Sequence, residues 1–275
     1  MGPNGSDADG TDADRDAPDR ETIDKQSLRE RVWDDLEASG VRRFPFPPHG
    51  RIPNFENARQ AADRLAEQPE WEAATTIKAN PDAPQLPVRR RALRDGKTVY
   101  MAVPRLTDER CFLRLDPDEL DDYDAATTVS GSSKHGIQVG PDDVEPIDLV
   151  VSGSVAVTTE LQSGAGGESR ERVGGGRIGK GEGYSDLEYA VLRELELVDD
   201  GTPIATTVHE RQLIDDPVAI EDHDVTMTLV VTPERVIRPP ERRQPTGLDW
   251  ALLDDEQRGE MPVLQSLFDR SVSTE

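Results

Sequence analysis

The run Gly174-Gly175-Gly176-Arg177-Ile178-Gly179-Lys180-Gly181-Glu182-Gly183-Tyr184-Ser185-Asp186 carries the densest chemical information in the chain. Glycines let a backbone turn through positive φ and approach a ligand closely. A helix opening directly after such a run points its first amides, and the positive end of its dipole, at whatever the loop encloses. The chemistry is anion binding, with phosphate as the natural ligand, and Arg177 and Lys180 add cations inside the loop. Ser185 with Glu188 fits an S-x-x-E capping box. Leu187, Val191, Leu195 and Val198 then recur at helical spacing, so a helix is predicted to form the floor. The pattern alone matches parts of two nucleotide loops, the dinucleotide fingerprint and the P-loop. Gly181 stands where a P-loop needs Ser or Thr, and a dinucleotide loop belongs on the first strand of a domain, so neither is adopted.

Two further groups of residues fit the same chemistry. On the first helical segment Lys25, Arg29, Val32 and Leu36 fall within about 60° of one another at 100° per residue. Two cations thus share an apolar face, near a helix start that disfavours positive charge. Burying them without a counter-charge is expensive, and snorkelling of their heads to water is the competing explanation. Convergence on the phosphates bound by the glycine loop satisfies them better. Asp186 and the Asp224 of His223-Asp224 supply hard oxygen ligands of the kind magnesium takes beside a nucleotide; in a chain with 56 acidic residues, each alone reads more simply as a surface carboxylate.

The elements that must position these groups alternate. Helices are predicted over 25–39 (with Asp24 as N-cap), 54–68 and 85–95. Strands are predicted over 73–79, 97–103, 147–159, 203–208 and 226–232, with a structured Pro-rich loop from Phe44 to Phe55. This alternation implies an α/β fold with a mostly parallel sheet flanked by helices, and phosphate sites in such sheets lie at the carboxyl ends of the strands. One domain is expected over 25–238. Residues 1–24, nearly devoid of apolar side chains, are expected to be a disordered acidic tail. Residues 239–275 are expected to be a linker and a C-terminal helical segment that docks on the domain.

Composition narrows the function further. The 275 residues carry 32 basic and 56 acidic side chains, a net charge of −24, and the basic ones are 5 Lys and 27 Arg. Such a charge is tolerable where molar salt shortens the Debye length to about 3 Å, which reads as halophilic adaptation. A surface of this sign repels nucleic acid. No apolar stretch reaches the roughly 18 residues of a membrane span and no secretory signal is visible, so a cytoplasmic protein is expected. Cys111, the single cysteine, has no partner for an internal disulfide and reads as a small buried apolar residue.

Taken together, these motifs resemble the 5-formyltetrahydrofolate cyclo-ligase (methenyltetrahydrofolate synthetase) family. Lys25-x3-Arg29 looks like its N-terminal nucleotide-binding pair, and Ala92-Leu93-x2-Gly96-Lys97-x-Val99 resembles the next helix-strand junction. Arg177-x-Gly179-x-Gly181-x-Gly183-Tyr184-Ser185-Asp186 is similar to its R-x-G-x-G-x-G-Y-Y-D loop. Asp216-Pro217-x5-His223-Asp224 with Val230-Val231-Thr232 resembles its closing segment. The resemblance implies a three-layer fold of the NagB/RpiA/CoA-transferase-like kind. It implies ATP bound by Lys25, Arg29, Arg177, Gly179, Lys180, Gly181, Glu182, Gly183 and Tyr184, with Arg177, Lys180 and Tyr184 catalytic, and Mg2+ held by Asp186 and Asp224. A reduced formyl-folate would be bordered by Tyr184 and Asp82. The implied reaction is ATP-dependent closure of 5-formyltetrahydrofolate to 5,10-methenyltetrahydrofolate, by a monomer or homodimer without nucleic-acid or membrane partners.

The loop departs from the family pattern at Ser185 and Leu187, and Ser152-Gly153 replaces Pro-Gly. These positions and Phe44-Pro-x-Pro-x-His49-Gly-Arg-Ile-Pro-Asn-Phe55 bring the chain closer to the methenyltetrahydrofolate synthetase domain-containing branch. A nucleotide- or folate-binding protein without turnover is the alternative, and a transferase or isomerase handling a sugar phosphate or thioester is a third.

Overall fold

A computed structural model describes residues 23–158, 161–163, 175–216, 218–239, 244–253 and 255–273. Residues 1–22 of the expected tail, Gly174 of the glycine run, Pro217 of the closing motif, and residues 240–243 of the expected linker lie outside that set. Eight strands form the central sheet, in the order Val236–Ile237, Leu229–Val231, Ile204–Thr207, Leu149–Val151, Thr76–Ala79, Thr98–Ala102, Phe112–Leu115 and Ile137–Val139. The middle five are parallel to one another; Val236–Ile237 and Phe112–Leu115 run antiparallel to them, and Ile137–Val139, antiparallel to Phe112–Leu115, returns to their direction.

Each interior strand buries both faces, because helices cover both sides. Along Thr98–Ala102, Tyr100 and Ala102 face one core while Val99 and Met101 face the other, the two-residue period of a strand. Ala62, Leu65, Val88, Ala92 and Leu93, from helices Ala58–Ala66 and Leu86–Arg94, complete one core. Tyr189, Val191 and Leu192 of helix Tyr184–Glu194 complete the other, together with Met261, Val263, Leu264 and Leu267 at the start of helix Pro262–Ser273. The fold is thus three-layered α/β, and the C-terminal helix packs into it.

Several elements differ from their sequence reading. Helix 54–68 shortens to Ala58–Ala66 because Asn54–Phe55 pairs with Arg42–Arg43 instead. The run 147–159 is two strands: Leu149–Val151 ends in the central sheet, and Ala156–Thr158 belongs to a separate three-stranded sheet with Gly176–Ile178 and Leu213–Ile214. Three residues of the glycine run, Gly176–Ile178, are therefore themselves strand. The acidic interval after Pro104 hides the antiparallel strands Phe112–Leu115 and Ile137–Val139.

Helix Lys25–Ala38 starts as expected, with Asp24 accepting from the amides of Gln26 and Ser27 at 2.8 and 3.2 Å. It packs not on the central sheet but on the small one, burying Leu28, Val32, Trp33 and Leu36 against Val155, Ala156, Ile178 and Ile214. The small sheet carries the glycine loop, so this packing sets the opening helix beside it.

Candidate functional site

The loop leaves strand Gly176–Ile178 and enters helix Tyr184–Glu194 within five residues. Gly181 and Gly183 sit at φ of +106° and +73°, values that L side chains rarely adopt. Gly183 is the N-cap, and its carbonyl accepts from the amides of Asp186 and Leu187. The capping box expected from Ser185 and Glu188 is therefore absent: Ser185 already lies inside the first turn. Among the described residues, the amides of 180–183 donate to no backbone carbonyl, which leaves the helix start open to an anion.

Arg29 reaches across 150 positions to this loop. Its Nε donates to the Gly179 carbonyl at 2.7 Å, and its guanidinium carbon lies 3.4 Å from where a Cβ on Gly181 would stand. Burial, reinforced by repulsion from Arg177, lowers its proton affinity below the ordinary arginine value. Lys25 pairs with Asp224 at 2.5 Å. Arg177, almost fully buried, pairs with Asp186 and donates to the Gly153 carbonyl at 3.2 Å. Burial pulls its proton affinity down, but Asp186, joined by Asp224 and Asp82, more than offsets this and the net shift is upward. Lys180 pairs with Glu182 at 2.7 Å on the exposed rim. Of these four cations, Arg29 alone among the described residues has only neutral partners, the Gly179 carbonyl and the Gln26 side chain.

The two carboxylates expected to hold magnesium are engaged. Asp186 accepts from Arg177 with one oxygen and from the Val225 amide at 3.1 Å with the other. One oxygen of Asp224 takes both Lys25 and the Glu221 amide. Among the described residues no group of three or more His, Cys, Asp or Glu side chains is placed to hold a metal. Asp186 and Asp224 are two carboxylates at the loop, fewer than an all-protein magnesium cage needs.

A cavity of about 250 Å3 opens beside the loop at the carboxyl ends of strands Thr76–Ala79, Thr98–Ala102 and Leu149–Val151, where phosphate sites of such sheets are expected. Gly179, Lys180, Glu182, Gly183 and Tyr184 contribute to its wall, and Asp82 lines it from the first of these strand ends. Burial raises the proton affinity of Asp82, only partly countered by Lys180. Gly153 packs so closely that a Cβ there would lie 2.8 Å from Asp82 Oδ2 and 3.1 Å from Gln85 Oε1. Gln85 is fully buried, and neither polar atom of its side chain has a hydrogen-bond partner among the described residues.

The cavity floor is a polar network that the sequence reading missed. Lys78, 1% exposed, forms a buried ion pair with Glu188 and donates to Asn80 Oδ1 at 2.7 Å. Asn80 donates on to Ser185 Oγ at 3.2 Å. Arg105, at the rim, holds its guanidinium 6.0 Å from the ring centre of Tyr184 on a backbone at positive φ of 58°. A lysine between Ile77 and Ala79 in a fully buried strand is the signal for the floor.

A model of the 5-formyltetrahydrofolate cyclo-ligase family matches residues 21–233. Methenyltetrahydrofolate synthase domain-containing proteins are similar to the chain. The Mus musculus protein is 41% identical over 89% of this chain and 63% of its own length, the Bos taurus protein 40% over 88% and 61%, and the Homo sapiens protein 34% over 88% and 61%. The chain thus spans about three-fifths of the length of these curated relatives. A solved structure, 5,10-methenyltetrahydrofolate synthetase from Aquifex aeolicus, aligns with a TM-score of 0.47 at 17% identity, covering 80% of this chain and 95% of that one.

Proposed function

The chain belongs to the 5-formyltetrahydrofolate cyclo-ligase family, and on that premise we propose that it closes 5-formyltetrahydrofolate to 5,10-methenyltetrahydrofolate with conversion of ATP to ADP and phosphate. The observation that carries the nucleotide half is the position of Arg29, whose guanidinium lies against Gly179 and Gly181 with neutral partners only. A triphosphate along the loop supplies a close counter-charge, where Asp24 and Asp224 act on this side chain only without direct contact. Lys180 joins it by exchanging Glu182 for phosphate, a small rearrangement because both side chains are substantially exposed. Arg177 and Lys25, already paired, act by positioning the loop and the segment that carries Asp224.

In the reaction the formyl oxygen attacks the γ-phosphorus and the bond to the ADP oxygen breaks. N10 then attacks the formyl carbon, the carbon–oxygen bond breaks to release phosphate, and N10 loses its proton. Positioning and charge stabilisation are what phosphoryl transfer asks of a protein, and the loop amides, Arg29 and Lys180 provide both. Asp82, with its raised proton affinity, is suited to accept the N10 proton. Magnesium enters this reading only as the companion of the nucleotide.

The test is direct. Purified protein in high salt, given 5-formyltetrahydrofolate, ATP and magnesium, is expected to develop the methenyl absorbance, and to fail without ATP. ATP binding without any chromophore would replace this reading with that of a nucleotide-binding protein lacking turnover, and would trace the loss to the loop positions Ser185 and Leu187.

A further inference from the structure

Arg89, on helix Leu86–Arg94, is 1% exposed, and among the described residues no carboxylate touches it. Its four side-chain hydrogen bonds all go to main-chain carbonyls. Nε donates to Thr127 at 3.1 Å, one terminal nitrogen to Asn80 and Asp82 at 2.5 and 3.1 Å, and the other to Pro81 at 3.2 Å. A cation buried in this way is costly. Lys78 and Arg177, buried beside the same cavity, each have a carboxylate partner. Burial pushes the Arg89 guanidinium down to about 10, so it is still charged at neutral pH.

Three of those carbonyls are consecutive. Asn80, Pro81 and Asp82 follow the end of strand Thr76–Ala79 and line the cavity beside the glycine loop. Three successive carbonyl dipoles aimed at one group repel one another, and the planar guanidinium, with N–H groups in several directions, reconciles them. A lysine ammonium, a point charge on a single nitrogen, does not match that fork. With their carbonyls drawn behind the wall, Asn80 and Asp82 present their side chains at its front. Asn80 reaches Ser185 Oγ at 3.2 Å, and Asp82 Oδ2 stands 2.8 Å from where a Cβ on Gly153 would be.

Resting on the reading that this cavity takes a formyl-folate whose N10 proton passes to Asp82, we propose that Arg89 is a positioning residue. From behind the wall it fixes the main chain of 80–82, aims Asp82 into the cavity and places a permanent positive charge at its back. The charged groups that face Asp82 come from four elements: Lys180 of the glycine loop, Glu188 of helix Tyr184–Glu194, Lys78 of strand Thr76–Ala79 and Arg89 itself. The two buried cations among them differ, because Glu188 neutralises Lys78 in direct contact while Arg89 has only carbonyls. Removing the Arg89 charge therefore lets Asp82 hold its proton more tightly still.

The test uses the full chain with Arg89→Met, which removes the charge, and Arg89→Lys, which keeps a cation but loses the fork. Calorimetry with 5-formyltetrahydrofolate and with ATP, each alone, gives the two affinities. Carbon NMR of aspartate-labelled protein, with Asp82→Asn assigning the signal, gives the Asp82 titration. Both variants are expected to bind 5-formyltetrahydrofolate about tenfold more weakly, the result of a displaced wall, with ATP affinity unchanged. Arg89→Met is expected to raise the Asp82 midpoint, and Arg89→Lys to raise it less. An Asp82 midpoint unmoved in Arg89→Met, equal losses for the two ligands, or native affinity for both ligands in both variants would overturn the positioning role. Failure of both variants to fold would overturn it too, as the mark of a purely structural residue; if Arg89→Met alone fails to fold, the affinities of Arg89→Lys decide. Absence of 5-formyltetrahydrofolate binding by the native protein would instead remove the folate reading, and the Asp82 titration would still judge Arg89.

Discussion

Replacing Lys78 by methionine tests the cavity floor. Lys78 is 1% and Glu188 10% exposed, and their contact is direct, so Lys78→Met strands a carboxylate in a nearly dry site. Removing one partner of a buried pair costs about 3–5 kcal/mol, a large share of the roughly 5–15 kcal/mol that holds a typical domain together. The partner's loss also leaves Asn80 Oδ1 without its donor, adding about 1 kcal/mol. Lys78→Met combined with Glu188→Leu removes both charges and their desolvation together, and is expected to be far less destabilising than Lys78→Met alone. Urea unfolding is the assay, because a neutral denaturant leaves the ionic strength fixed; at constant m the midpoints give the free energies directly. Arg59→Ala provides the contrast: its pair with Asp63 spans 3.9 Å with side chains 85% and 49% exposed, so less than about 1 kcal/mol should be lost. A Lys78→Met protein as stable as the native one, or a double variant worse than the single, would refute the assignment of a charged, coupled floor.

Three other outcomes are expected. Arg29→Ala should weaken ATP binding by about 1.5–3 kcal/mol, the range for a charge-assisted contact, measured by calorimetry; unchanged affinity would separate the opening helix from the nucleotide. Asp82 binds its proton more tightly in the folded chain than an ordinary carboxyl does, so its effect on stability is most favourable at low pH and declines as pH rises through its raised folded value. Asp82→Asn should flatten that decline in a series of urea midpoints against pH. Burial pushes the Cys111 thiol up to about 12, so a thiol reagent at pH 8 should modify it only after unfolding.

The glycine loop and the opening helix could be recognised from sequence because their signals are local: glycine spacing, a capping aspartate, cations on an apolar helical face. Their meeting at Gly179 followed from chemistry, since both segments called for the same anion. What stayed hidden depends on partners distant in sequence. Glu188 matches a capping pattern three residues after Ser185, yet Lys78, 110 positions away, claims it, and the N-cap is Gly183, two residues earlier. Asp186 and Asp224 read as hard metal donors, but Arg177 and Lys25, which the sequence suggests reserving for phosphate, pair with them instead. Charge pairing between two candidate groups cannot be read from spacing when each group alone fits a ligand. The strands Phe112–Leu115 and Ile137–Val139 are short and sit among acidic turns, so their apolar residues are outnumbered in any window long enough to show a period.

Gly153 gives the site an adjustable width. What a Cβ there would meet within about 3 Å is not main chain but the tips of Asp82, Gln85 and Ile52, at 2.8, 3.1 and 3.0 Å. Adding one carbon at this position would displace side-chain ends and leave the sheets as they are, narrowing the cavity beside the glycine loop from behind. Position 153 therefore acts as a gauge for the size of the cavity, one that can change while the glycine loop and the sheets stay constant.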